Sequence, residues 1–145
     1  MKTIAMVALM LLAVTTANAT QQIEDLLILD SKIYTIDWPK SPFILQSYIK
    51  QHGLKLSGDM SEANYNGHHA IWLVRDKKLY LIGFDSEMPG IATPGVKDLP
   101  GSKNGELFAQ WFTGTVSLKY GFRFSDVSDV LKEIRFEKGI MADSQ

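Results

Sequence analysis

No cysteine occurs among the 145 residues, and that absence removes three classes of protein at once: thiol enzymes, disulfide-stapled scaffolds and chains anchored through a lipidated cysteine. Charge of one sign is also missing, with 15 Lys and Arg against 16 Asp and Glu. Such a balance lacks the excess that drives nonspecific binding to nucleic acid or to an anionic membrane, so neither partner is expected. A bilayer-spanning helix needs about 20 apolar residues, and the apolar run at residues 4–14 (IAMVALMLLAV) has only 11.

That run has another reading. It follows Lys2 and precedes Thr15-Thr16-Ala17-Asn18-Ala19, so a basic start, an apolar middle and an A-x-A end stand in the order of a secretory signal peptide. Residues 1–19 are read as that signal and residues 20–145 as a single β-rich domain. The expected location is periplasmic or secreted, with no stable membrane insertion after cleavage. Loss of Lys2 leaves 14 basic residues against 16 acidic. An exported chain without disulfides depends on its core alone, and a domain of this size buries about two-thirds of the surface its unfolded chain exposes.

Three stretches in residues 20–145 repeat one pattern of a β-rich run, a short polar turn and a second run. Residues 23–29 (IEDLLIL) pass through Asp30-Ser31-Lys32 into 33–36 (IYTI). Residues 70–74 (AIWLV) pass through Arg75-Asp76-Lys77-Lys78 into 79–84 (LYLIGF), and residues 133–136 (EIRF) pass through Glu137-Lys138-Gly139 into Ile140-Met141. Each is a hairpin signal. In the middle pair, period-two alternation puts His68, Ala70, Trp72 and Val74 on one face and His69, Ile71, Leu73 and Arg75 on the other. Tyr80, Ile82 and Phe84 then share a face opposite to Leu79 and Leu81. Both faces are largely apolar, which predicts a central hairpin covered on both sides.

Helix signal is thin. Ser41 before Pro42 resembles an N-cap, Phe43, Ile44, Leu45, Tyr48 and Ile49 cluster on one side, and Gly53 can close the end, so a helix is predicted over residues 42–52. Residues 106–112 (ELFAQWF) fit a helix or the start of a strand, and residues 125–132 fit a single capped turn. The segment 85–105 holds three Pro-Gly pairs, at 89–90, 94–95 and 100–101, each a type II turn signal. A loop of this length is usually functional or an insertion.

Motifs for catalysis are missing. His68 and His69 are adjacent, so on a strand they point to opposite faces, and His52 is the remaining histidine; no metal-ligand spacing arises. No G-x-S-x-G elbow surrounds any serine, and residues 101–105 (GSKNG) are not a phosphate-binding P-loop. No catalytic residue, metal or cofactor is therefore assigned. Aromatics are plentiful, and those beside a turn or polar step are candidates for ligand or partner contact: Tyr65, Trp72 and Trp111, with Tyr80 and His68 nearby.

Taken in order, Asn66-Gly67-His68-His69-Ala70-Ile71-Trp72, Asp76-Lys77-Lys78-Leu79-Tyr80-Leu81, Leu99-Pro100-Gly101, Leu107-Phe108-Ala109-Gln110-Trp111-Phe112-Thr113-Gly114 and the closing 133–140 (EIRFEKGI) resemble a family of small bacterial proteins with no established activity. The resemblance implies a β-rich domain and no catalytic residue. The chain departs from that pattern in its longer Pro-Gly loop and at residues 120–124 (YGFRF).

The expected fold is mainly β, hairpins forming a sandwich or partly closed barrel with one short helix, with α+β as the alternative. The expected function is a non-enzymatic exported binding protein acting on an unknown protein or envelope component, as an inhibitor or immunity-like factor, with the 85–105 loop as its contact surface. A small-ligand carrier whose β-core pocket is lined by Trp72, Tyr80 and Trp111 is the alternative. A hydrolase with a site assembled around His68 is the third.

Overall fold

The computed structural model describes residues 24–37, 41, 43–54, 68–86, 95–120 and 130–143, with backbone only at His68, Asp85, Ser86 and Tyr120. Its elements are β1 (Leu26–Leu29), β2 (Lys32–Ile36), α1 (Gln46–His52), β3 (His68–Arg75), β4 (Lys78–Ser86), a 3-10 turn (Val96–Asp98), β5 (Leu107–Phe108), β6 (Gly114–Tyr120), β7 (Lys132–Glu137) and β8 (Ile140–Met141). Strands follow one another in space as β3-β1-β2-β6-β7-β8-β4, and β4 pairs back with β3. Seven strands thus close into a barrel, and β5 adds to β4 at Tyr80 and Leu81. The molecule is mainly β with one short helix, as expected, and of the two expected arrangements the strands form the barrel, closed by the β3–β4 pairing. Among the described residues, closure pairs each of the seven barrel strands on both sides, so no long strand edge is left for another chain to pair with.

All three predicted hairpins form, and their turns explain why. Asp30 and Ser31 have φ of 50° and 62°, Asp76 and Lys77 of 50° and 59°, Lys138 and Gly139 of 48° and 76°. Positive φ at both central residues defines the type I′ turn, whose twist matches that of paired strands. Five of these six positions carry a side chain that disfavours the left-handed region. Ser31→Gly should therefore raise stability by about 0.5–1 kcal/mol, read as a higher urea midpoint at an unchanged slope.

Each strand sends alternate apolar residues inward. Leu27 stands beside Trp72, Ile36 opposite Leu118, Val116 opposite Ile134, and Trp72 opposite Leu81, all of them buried. Alternation fails once. Ile71 pairs with Gly83 but Trp72 pairs with Leu81, so Ile82 is an extra residue, and Phe84 returns to the inward side opposite Ala70. This β-bulge corrects the reading that joined Phe84 to Tyr80 and Ile82. Cover on both faces is also corrected: Ala70, Trp72, Leu79 and Leu81 are buried, whereas Ile71, Leu73, Tyr80 and Ile82 are half-buried on the barrel's outside.

The helix starts later than predicted. Ser41 Oγ accepts the Ser117 N–H at 2.9 Å and donates to the Ser117 carbonyl at 3.3 Å, so this hydroxyl tethers the chain to β6 and caps nothing. Helix α1 opens at Gln46 behind Leu45, with no side-chain cap. Phe43 is exposed, while Ile44, Leu45, Tyr48 and Ile49 are buried. Gly53 ends the helix as expected, at φ 60°, its N–H on the Lys50 carbonyl. Residues 106–112 resolve into β5 and a turn. Residues 121–129, which include most of the third helix candidate, lie outside the described residues.

Candidate functional site

A cleft of about 690 Å³ opens on the outside of the barrel wall, between α1, the turns over residues 99–106, and the β4–β5 pair. This is within the usual size range of small-ligand sites. Its turns are set by sequence. Pro100 and Gly101 form a type II turn, with Gly101 at φ 85° and the Ser102 N–H on the Leu99 carbonyl. Gly95 does not take the positive φ that a type II turn would need there: it sits extended, at φ −73° and ψ 167°, and opens the 3-10 turn, while Pro94 lies outside the described residues. There the Asp98 carboxylate accepts the Gly95 N–H at 3.0 Å. Pro89 and Gly90 lie outside the described residues. Lys103 and Glu106 then pair around Asn104 and Gly105, both at positive φ, as a small tip.

Two hydrogen bonds hold α1 and the residues leading into it against this frame. The Tyr48 hydroxyl donates to the Pro100 carbonyl at 2.7 Å, and the Trp111 indole N–H donates to the Ile44 carbonyl at 2.8 Å. The Tyr48 ring lies 4.6 Å from Trp111 and 4.2 Å from His52. Burial pushes the Tyr48 phenol above its ordinary pKa, so it remains a donor.

The opposite wall is electrostatic. Arg75 grips Glu106 with two bonds of 2.9 and 2.6 Å and lies 4.8 Å from the Tyr80 ring centre. Tyr80 packs at 5.7 Å against Phe108, and the Lys78 ammonium lies 5.8 Å from Phe108. The Arg75 hydrogen bonds hold the Glu106 carboxyl below the usual carboxylate range, and Glu106 in turn raises Arg75. Because the Glu106 pKa is depressed in the fold, its stabilising effect is present above the ordinary carboxylate pKa and is lost as pH falls through the lowered value. In Arg75→Gln the Glu106 carboxyl should titrate back in the ordinary range, followed by ¹³C NMR, and amide exchange at residues 103–107 should quicken.

Of the five residues singled out by sequence, the cleft unites Tyr80 and Trp111. Trp72 stays out: it is fully buried inside the barrel, its indole N–H on Asp25 at 3.1 Å, with its ring centre 6.5 Å from that of Trp111. A pocket in the β-core shared by these three is thereby corrected. Tyr80 points outward and Trp72 inward, and the intervening wall is packed with Leu79 and Leu81. Tyr65 and the His68 side chain lie outside the described residues; the His68 backbone pairs with Ser86. Tyr48, His52, Lys103, Asn104, Glu106, Phe108 and Gln110 line the cleft without having been singled out. The spacing of Tyr48 and His52, one helical turn apart, was the one available signal.

Among the described residues no group of three His, Cys, Asp or Glu is placed to hold a metal ion. A second concavity, about 630 Å³, crosses β7 and β8 among Lys132, Glu133, Arg135 and Asp143, an alternation of charge typical of a solvated face. No protein-family model, curated protein or solved structure matches this chain.

Proposed function

We propose that this is an exported, non-enzymatic binding protein and that the cleft between α1 and the β4–β5 pair is its ligand site. The observation carrying this reading is the composition of the cleft: part-exposed Tyr80, Phe108 and Trp111 beside polar groups from three separate chain segments, in a space of about 690 Å³. Export rests on the signal-like order of residues 1–19. Tyr80→Ala removes an outward ring and leaves the buried interior untouched. It should weaken a bound fragment about tenfold, measured by titration calorimetry, with the melting curve near that of the parent.

A second reading, capture of a protein or envelope component through the 85–105 loop, has one supporting observation. Pro100, Gly101, Lys103 and Asn104, from the second half of that loop, form a wall of the same cleft. Pull-down from envelope extract separates the two readings: the second expects a captured protein or envelope component that Asn104→Ala releases, and the first expects none.

A further inference from the structure

We infer that the ligand of this cleft is a saccharide bearing a carboxylate, an inference that rests on the cleft being the binding site. Three features lead there. Gln51 on α1, Asn104 at the tip and Gln110 after β5 present exposed carboxamides from three sides, and none of these side chains has a hydrogen-bond partner among the described residues. A carboxamide both donates and accepts, as does every sugar hydroxyl. The part-exposed rings of Tyr80, Phe108 and Trp111 offer apolar surface for the C–H face of a pyranose. A fatty acyl chain filling the same space would strip water from those carboxamides and return no bond, at a cost for each.

Charge selects among saccharides. Glu106, the carboxylate in the lining, is already committed to Arg75. Lys103 has no ion-pair partner among the described residues, and Arg75 and Lys78 lie over Tyr80 and Phe108. Within and beside the cleft Lys103, Arg75 and Lys78 thus stand against Glu106, and among the described residues the Lys103 ammonium at the tip is the one in the lining left without a counter-charge. One such ammonium suits a single carboxylate, whereas a nucleic-acid strand needs a track of cations.

The test uses the purified chain with four probes: tri-galacturonate, neutral maltotriose, laurate and tri-alanine. Calorimetry and amide shifts of Lys103 and Gln110 are followed together. Tri-galacturonate should bind saturably and move both signals, with maltotriose at least tenfold weaker. Lys103→Gln, at an exposed position, should lower tri-galacturonate affinity about tenfold and leave maltotriose unchanged, with unaltered circular dichroism. Equal binding of the acidic and neutral sugars, or no effect of Lys103→Gln, overturns the inference. Cleft shifts caused by laurate or tri-alanine but by neither sugar overturn the ligand class and leave the cleft standing. If no probe moves the two signals, the inference falls; if a general fragment set also leaves them unmoved, the cleft reading falls with it.

Discussion

Gly139→Ala should cost about 3 kcal/mol or more, enough to threaten a domain whose whole stability is on the order of 5–15 kcal/mol. Gly139 is the second residue of the β7–β8 turn, at φ 76°, and a Cβ there would lie 2.5 Å from the Ala109 carbonyl oxygen and 2.8 Å from its carbon. These are backbone atoms, which cannot swing aside. The same residue donates its N–H to the Phe112 carbonyl at 2.7 Å and accepts the Leu79 N–H at 2.8 Å. Gly139 thus sits where β8 meets β4, a seam made by one residue pair, Lys78 with Ile140. A methyl group would pry at the point where the barrel closes. Gly105→Ala is the control, since Gly105 has a similar φ of 74° but nothing within 4 Å of its Cβ position. That variant carries the backbone strain alone, about 1 kcal/mol. Equal urea midpoints for the two variants would sink the claim that contact with Ala109 dominates.

The second large effect is at Asp25, just before β1. One carboxylate oxygen accepts the Ala70 N–H at 2.9 Å and the other accepts the Trp72 indole N–H at 3.1 Å. The carboxylate thereby sets the parallel register in which Leu26 faces Ile71 and Leu27 faces Trp72. Asp25→Ala leaves two donors at a buried position without their acceptor, at about 1–3 kcal/mol each. Trp72→Phe removes the indole donor, so Asp25→Ala should cost about 1–2 kcal/mol less in that background. Strict additivity of the two substitutions, measured by chemical denaturation, would contradict a direct bond between them.

The β elements were legible because local chemistry and burial agree in them. Val, Ile, Leu and aromatic runs flank Asp30-Ser31, Asp76-Lys77 and Lys138-Gly139, and the turns form where those residues stand. What sequence could not give depends on distant partners. Ser41 reads as a helix cap until its hydroxyl is seen to be held by Ser117. Barrel closure depends on the β3–β4, β1–β3 and β4–β8 pairings, and a parallel contact such as β1–β3 leaves no local signature. The bulge at Ile82 shifts Phe84 by one face, and no residue type announces it.

The site follows the same division. Trp111 was identifiable as an aromatic next to a polar step and Tyr80 as an aromatic on the strand paired with Trp72, and both line the cleft. Trp72 met the same criterion but points inward, since successive side chains on a strand face opposite ways and its own indole is satisfied by Asp25. Tyr48 read as core on an amphipathic helix, which it is, while its ring also floors the cleft beside Trp111. Arg75 read as part of a hairpin turn and Glu106 as the start of the 106–112 segment, and their pairing across the cleft rim emerges only when β3 and the tip are brought together.

The central claim, that ligand enters the outer cleft and not the barrel interior, is tested most directly by the indole N–H resonances during a titration with a small-fragment library. Trp111 lines the cleft and Trp72 is buried within the barrel. Saturable shifts at Trp111 with Trp72 unmoved are the expected result. Shifts at Trp72 with Trp111 unmoved would place the ligand inside the barrel and contradict it.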